Sequence, residues 1–102
     1  MNIRLSISKL SKLDEVEVVT SARFNKNYLG AKGKLKSVTL SDDEVVEILG
    51  DNGLDIDIRI NEIKEILEYP TSTIFLTRNI QILFRWDIEL ETNESNLELF
   101  KV

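Results

Sequence analysis

Between Leu54 and Asn61 every second residue is aliphatic: Leu54, Ile56, Ile58 and Ile60 are separated by Asp55, Asp57, Arg59 and Asn61. Such a segment buries one face only as an extended strand, because residues two apart share a face of a strand but not of a helix. The same period recurs along the chain. Val16 and Val18 carry it after a turn-like Ser11–Asp14, and Leu35–Leu40 and Val45–Leu49 form further β-branched runs. Beyond Pro70, Thr73–Thr77 and Ile80–Leu90 read as strands, with Arg78-Asn79 as a turn between them. Thr92–Asn96 is a polar turn, after which Leu97 and Leu99 alternate. At the N-terminus Ile3, Leu5 and Ile7 alternate with Asn2, Arg4, Ser6 and Ser8, which predicts a first strand there too.

Gly50-Asp51-Asn52-Gly53 separates two of these runs. Asn-Gly tolerates the positive φ angles of tight hairpin turns, so Glu44–Leu49 and Leu54–Ile60 are predicted to form a β-hairpin. The competing reading is a short helix over Asp42–Leu49, with Ser41-Asp42-Asp43-Glu44 as a capping box and Gly50 beyond its end. The β-branched Val45, Val46 and Ile48 favour the hairpin. Asn61–Leu67 is open between a helical turn capped by Asn61 and a short strand in which Ile63 closes a barrel. The fold class expected is mainly β: a small barrel or sandwich of six to eight short strands, with at most one or two short helical turns.

Val16–Ile66 resembles the Sm-like small barrels. The likeness rests on Gly33-Lys34-Leu35-Lys36-Ser37-Val38-Thr39-Leu40, on the Val/Ile strand and Asp51-Asn52-Gly53 turn after it, and on Ile60-Asn61-Glu62-Ile63-Lys64-Glu65-Ile66. It covers about half the chain and implies a barrel fold. The nucleotide-binding loop signatures of the RNA-binding Sm proteins are not matched, so no functional residue is carried over.

The chain has 102 residues, 42% of them hydrophobic, and is expected to form a single domain over 1–102 with one core. No stretch approaches the ~20 apolar residues of a membrane span, and the alternating N-terminus does not read as a signal peptide. Cysteine is absent, which fits a cytoplasmic protein. Histidine is absent as well, which removes the usual general base and the commonest metal ligand. Nucleophile–base pairs then shrink to Ser or Thr with Lys or a carboxylate, and no Gly-rich phosphate loop is present. A non-enzymatic protein without cofactor or metal is expected.

The charges are segregated. Ser21–Leu40 holds Arg23, Lys26, Lys32, Lys34 and Lys36 and no acid, with Phe24 and Tyr28 among them. Ser41–Glu68 holds ten acids against Arg59 and Lys64. The basic island is a candidate anion site: Arg23, Lys26, Lys32, Lys34 and Lys36 would pair with phosphates, Tyr28 would stack on a base, and Gly30 and Gly33 would let backbone approach a ligand. The plainer reading is a loop running into a strand whose outward side chains are lysines. The acidic stretch is a candidate partner-binding face of Asp42, Asp43, Glu44, Glu47, Asp51, Asp55 and Asp57, with Asp55 and Asp57 on one side of their strand. It lacks the ligand spacing of a calcium loop. Its plainer reading is a solvated outer face that keeps sheet edges unpaired. Ile80–Trp86 reads as a core strand, or else as a self-association edge around Trp86.

The net charge of −5 opposes nonspecific binding to a polyanion. The favoured function is therefore protein–protein interaction, with the acidic face docking on a basic protein surface such as that of a nucleic-acid-binding enzyme. Its sharp form is a phage-type inhibitor that imitates nucleic acid and blocks a host nuclease, as anti-CRISPR proteins do. That comparison is one of type and rests on no motif. The alternatives are an Sm-like nucleic-acid-binding oligomer using 23–36, and a structural or assembly subunit joined through the Trp86 region. A homo-oligomer is compatible with each, and none involves a membrane.

Overall fold

The computed structural model describes residues 2–22 and 29–86. Helix α1 (Ile3–Ser11) is followed by seven strands: β1 (Glu17–Ala22), β2 (Leu29–Leu40), β3 (Val45–Gly50), β4 (Asp55–Arg59), β5 (Glu65–Tyr69), β6 (Ser72–Leu76) and β7 (Ile80–Arg85). A short 3-10 turn, Ile60–Glu62, joins β4 to β5. All pairings are antiparallel and give one sheet of order β4-β3-β2-β1-β7-β6-β5. The mainly β expectation holds. The sheet does not close into the barrel that Sm-like proteins have; β4 and β5 remain its edges.

The N-terminal strand prediction is wrong: residues 3–11 are helical. Ile3, Ile7 and Leu10 recur at helical spacing and enter the core, whereas Leu5, an apolar member of the alternation, is 67% exposed. Asn2 caps the helix, its side-chain oxygen accepting from Leu5 N–H at 3.1 Å. Ser6 and Lys9 on the same helix reach Glu68 of β5, and the Lys9 ammonium lies 4.9 Å from the centre of the Trp86 ring.

The hairpin reading holds, and the helix over 42–49 does not form. Asn52 and Gly53 have φ of +57° and +76°, and Leu54 N–H donates to Asp51 O at 3.1 Å, so positive φ at both central residues closes the turn. At the other end of β3, Glu44 N–H donates to Ser41 O at 3.0 Å and Val45 N–H to Ser41 Oγ at 3.2 Å. Ser41 thus caps a turn and not a helix. Asn61–Leu67 divides between the two readings: Asn61 and Glu62 lie in the 3-10 turn, with Arg59 and not Asn61 at its N-cap, and β5 begins at Glu65; Ile63 is buried, but no barrel closes on it.

Strand β2 carries both halves of the sheet. Its first half pairs with β1 and its second with β3. Between Leu35 and Ser37 an extra residue, Lys36, breaks the register. This bulge changes the parity, so that Gly33 is buried before it and Val38 after it. The core lies on one side of the sheet, where Val18, Val38, Val46, Ile48, Phe75, Ile82 and Phe84 meet Ile3, Ile7 and Leu10 of α1. The Phe75 and Phe84 rings are 5.0 Å apart at 59°, a favourable tilted pair. Trp86 is 5% exposed and belongs to this core, so it offers no self-association edge. Residues 87–90 and the alternation at Leu97 and Leu99 lie outside the described residues.

Candidate functional site

The outer side of β3 and β4 is built by the alternation that fills the core. With Val46, Ile48 and Ile58 buried, the intervening Glu47, Asp55 and Asp57 must point away from it. The register places Glu47 directly opposite Asp57, and Leu49 opposite Asp55. Asp55 and Asp57 are separated by about 7 Å along the strand and Glu47 by about 5 Å across it, the ordinary spacings of a sheet. All three are exposed, and among the described residues none has a cation within 4 Å.

The other predicted acids are divided between the two ends of the hairpin. Asp42, Asp43 and Glu44 form the exposed turn before β3. Glu44 adopts φ +61°, and its carbonyl accepts from Ile60 N–H at 2.9 Å. The turn therefore lies beside the Val45–Arg59 end of the face. Asp51 sits at the opposite end and serves the fold. Its Oδ1 accepts from Lys34 N–H at 2.6 Å, and its own N–H donates to Lys34 O at 3.0 Å. This clasp ties the hairpin to β2 beside Gly33, where an added Cβ would come within 2.8 Å of the Asp51 carboxylate. Gly33 thus admits a neighbouring segment of the chain, and Gly30 does the same against Thr20.

The basic residues are arranged differently. Lys34 Nζ donates to Glu15 at 2.7 Å, and Lys32 lies 3.8 Å from Glu17, which also accepts from Arg85 at 2.8 Å. The Glu15 hydrogen bond, and then its charge, hold the Lys34 amine above its ordinary pKa of 10.5. Two lysines of the island are thereby answered within the chain. Lys36 is the bulge residue, exposed and without an ion pair among the described residues. Arg23, Lys26 and Tyr28, with Phe24, lie outside the described residues.

Leu49 was not singled out by sequence. It is 44% exposed in the middle of the acidic face, next to Asp55. Its shared parity with Glu47 is the signal that marks it. Arg59, at the far end of β4, is the one base on the outer side of this hairpin. Among the described residues no three carboxylates are grouped as a metal site requires, and no helix is long and apolar enough to cross a membrane. No protein-family model, curated protein or solved structure matches the chain.

Proposed function

We propose that this is a non-enzymatic, cytoplasmic binding protein that docks the outer side of β3 and β4 on a basic protein surface. The observation that carries the proposal is a contrast in pairing. Glu47, Asp55 and Asp57 are gathered on one hairpin face with no cation within 4 Å among the described residues, while Lys32 and Lys34 are engaged by Glu17 and Glu15. Unpaired carboxylates at fixed spacing raise the encounter rate with a basic partner and disfavour acidic ones. Leu49 adds an apolar contact where a partner would exclude water. Asp42, Asp43 and Glu44 extend the negative field along one end of the face.

In the sharper form of this reading the partner surface is a groove that binds nucleic acid, and the carboxylates stand where phosphates would lie. The protein then acts as an inhibitor, in the manner of phage anti-CRISPR proteins that occupy host nucleases. Titration with an arginine-rich peptide, followed by backbone NMR, tests the docking face. Shifts should centre on Glu47, Leu49, Asp55 and Asp57, and should vanish in Asp55→Asn/Asp57→Asn with the unfolding midpoint preserved. Shifts at Lys32–Lys36 with an oligonucleotide, and none on β3 or β4 with the peptide, would instead support a nucleic-acid binder.

A further inference from the structure

Beyond the end of β4, the connection into β5 runs past the turn between β6 and β7. Asn61, Glu62 and Lys64 on the connection and Thr77, Arg78 and Asn79 on the turn line a cleft of about 370 Å³. Both walls are fixed by the fold. Ile63 N–H donates to Ile60 O at 3.0 Å, and the Ile63 side chain is buried in the core, which leaves its neighbours Glu62 and Lys64 exposed. Lys64 N–H donates to Leu76 O at 2.7 Å and ties one wall to the other. Thr77 closes the turn: its N–H and its hydroxyl donate to Ile80 O at 2.9 and 3.1 Å, and its Oγ1 accepts from Ile80 N–H at 3.1 Å. Walls held in this way have little freedom left to lose when a ligand enters.

The cleft gathers charge that the chain itself does not answer. Lys64 and Arg78 are exposed, and among the described residues neither has a carboxylate within 4 Å. Lys9, Lys32, Lys34 and Arg85, by contrast, are engaged by Glu68, Glu17 and Glu15. The side-chain amides of Asn61 and Asn79 make no hydrogen bond among the described residues. Glu62 is the one acid in the lining, against two bases.

This set of groups selects a ligand class. A guanidinium fork and an ammonium together suit a phosphate monoester, whose terminal oxygens can serve both. The two amides each offer donors and an acceptor, as hydroxyl groups require, and Glu62 accepts from a hydroxyl while repelling a second anionic group. Among the described residues no aromatic side chain lines the cleft, so a nucleobase would find no ring to stack on. We propose that the cleft binds a small phosphorylated polyol, with its phosphate on Lys64 and Arg78 and its hydroxyls on Asn61, Asn79 and Glu62. The volume lies near the lower end of small-ligand sites, and the lining is exposed, so the dissociation constant is on the order of a millimolar. The cleft shares no residue with the β3–β4 face, and either proposal can fail without the other.

NMR titration of the full chain with glycerol phosphate, inorganic phosphate and glycerol, at constant ionic strength, tests this. Glycerol phosphate should give saturable shifts centred on Asn61, Lys64, Arg78 and Asn79. Inorganic phosphate should move the same signals with a severalfold higher dissociation constant, and glycerol should move none at matched concentration. Arg78→Gln and Lys64→Gln should each weaken glycerol phosphate about tenfold or more, with the unfolding midpoint preserved. Lys36→Gln, at an exposed lysine outside the cleft, should leave binding unchanged. Shifts that do not saturate at tens of millimolar overturn the proposal. So does equal weakening by Lys36→Gln, which is the mark of nonspecific charge, or inorganic phosphate that binds as tightly as glycerol phosphate.

Discussion

Asp57→Asn should make the protein more stable. Asp57 faces Glu47 directly across β4 and β3, and Asp55 lies on the same face two residues away. Cβ atoms of such a cross-strand pair are about 5 Å apart, and directly opposed like charges destabilise a sheet. Two carboxylates about 6 Å apart in surroundings close to water repel by about 0.7 kcal/mol. Thr39, the neighbour of Glu47 on β2, brings no compensating charge. Asparagine keeps the shape; the lost attraction to Arg59, two residues along the same side, offsets the relieved repulsion from Asp55, and the Glu47 repulsion that remains gives an expected gain of about 0.5 kcal/mol at low salt. In about 1 M salt the Debye length falls to ~3 Å and most of the gain should disappear. Urea unfolding followed by the fluorescence of buried Trp86, at low and high salt, measures both values, and an unchanged slope keeps the comparison two-state. A loss above about 0.5 kcal/mol would show that the carboxylate makes a native contact that the geometry does not contain. A gain indifferent to salt would equally refute the electrostatic reasoning.

Three further outcomes follow from single residues. Thr73 Oγ1 is fully buried with no hydrogen-bond partner, so Thr73→Val should stabilise by about 1 kcal/mol in the same urea assay; destabilisation would mean that the hydroxyl is satisfied. Asp51→Ala removes the charged acceptor of Lys34 N–H and should cost about 1.5–3 kcal/mol, and a loss under about 0.5 kcal/mol would count against the clasp. Lys34 titrates above 10.5 because of Glu15, so what the pair adds to stability is complete below pH 10.5 and is lost as pH rises through the folded-state pKa. In Glu15→Gln the Lys34 side-chain NMR titration should move back toward 10.5, and an unmoved titration would exclude Glu15 as the cause.

The parts of this fold legible in the chain are those where one local signal had no rival. Asp51-Asn52-Gly53 between two aliphatic alternations marks the β3–β4 hairpin, because the turn needs positive φ and asparagine and glycine tolerate it. Asp55 and Asp57 could be placed on one side for the same reason. The N-terminal helix was illegible because Ile3 and Ile7 satisfy periods of two and of 3.6 at once. Only the distant sheet decides between them, by taking Leu10 and leaving Leu5 in solvent. The pairing of the basic island's lysines was illegible for a related reason. Net charge along a segment does not show that β1 will lay Glu17 beside Lys32, or that the turn before β1 will bring Glu15 to Lys34. The alignment of Leu67, Ile74, Leu83 and Val19 across β5, β6, β7 and β1 depends on three registers and has no local signature at all.

The acidic face and the clasped turn show how one hairpin separates two uses of the same residue type. Asp51 is held by backbone groups of β2 and positions the hairpin; Glu47, Asp55 and Asp57 have no such bond among the described residues, and in the proposed function they are the groups that meet a partner. Substitutions should divide accordingly. Those at Asp51 alter stability first, and those at the exposed trio alter recognition first.

Docking through the acidic face can be read out by parallel capture from the native host's lysate, with and without nuclease, on three immobilised proteins: the wild type, Glu47→Gln/Asp55→Asn/Asp57→Asn, and Lys32→Ala/Lys34→Ala/Lys36→Ala. A stoichiometric basic protein should survive nuclease, be kept by the lysine variant and be lost from the acidic-face variant. Retention of nucleic acid that nuclease abolishes and the lysine variant loses, with the acidic-face variant unaffected, would contradict it.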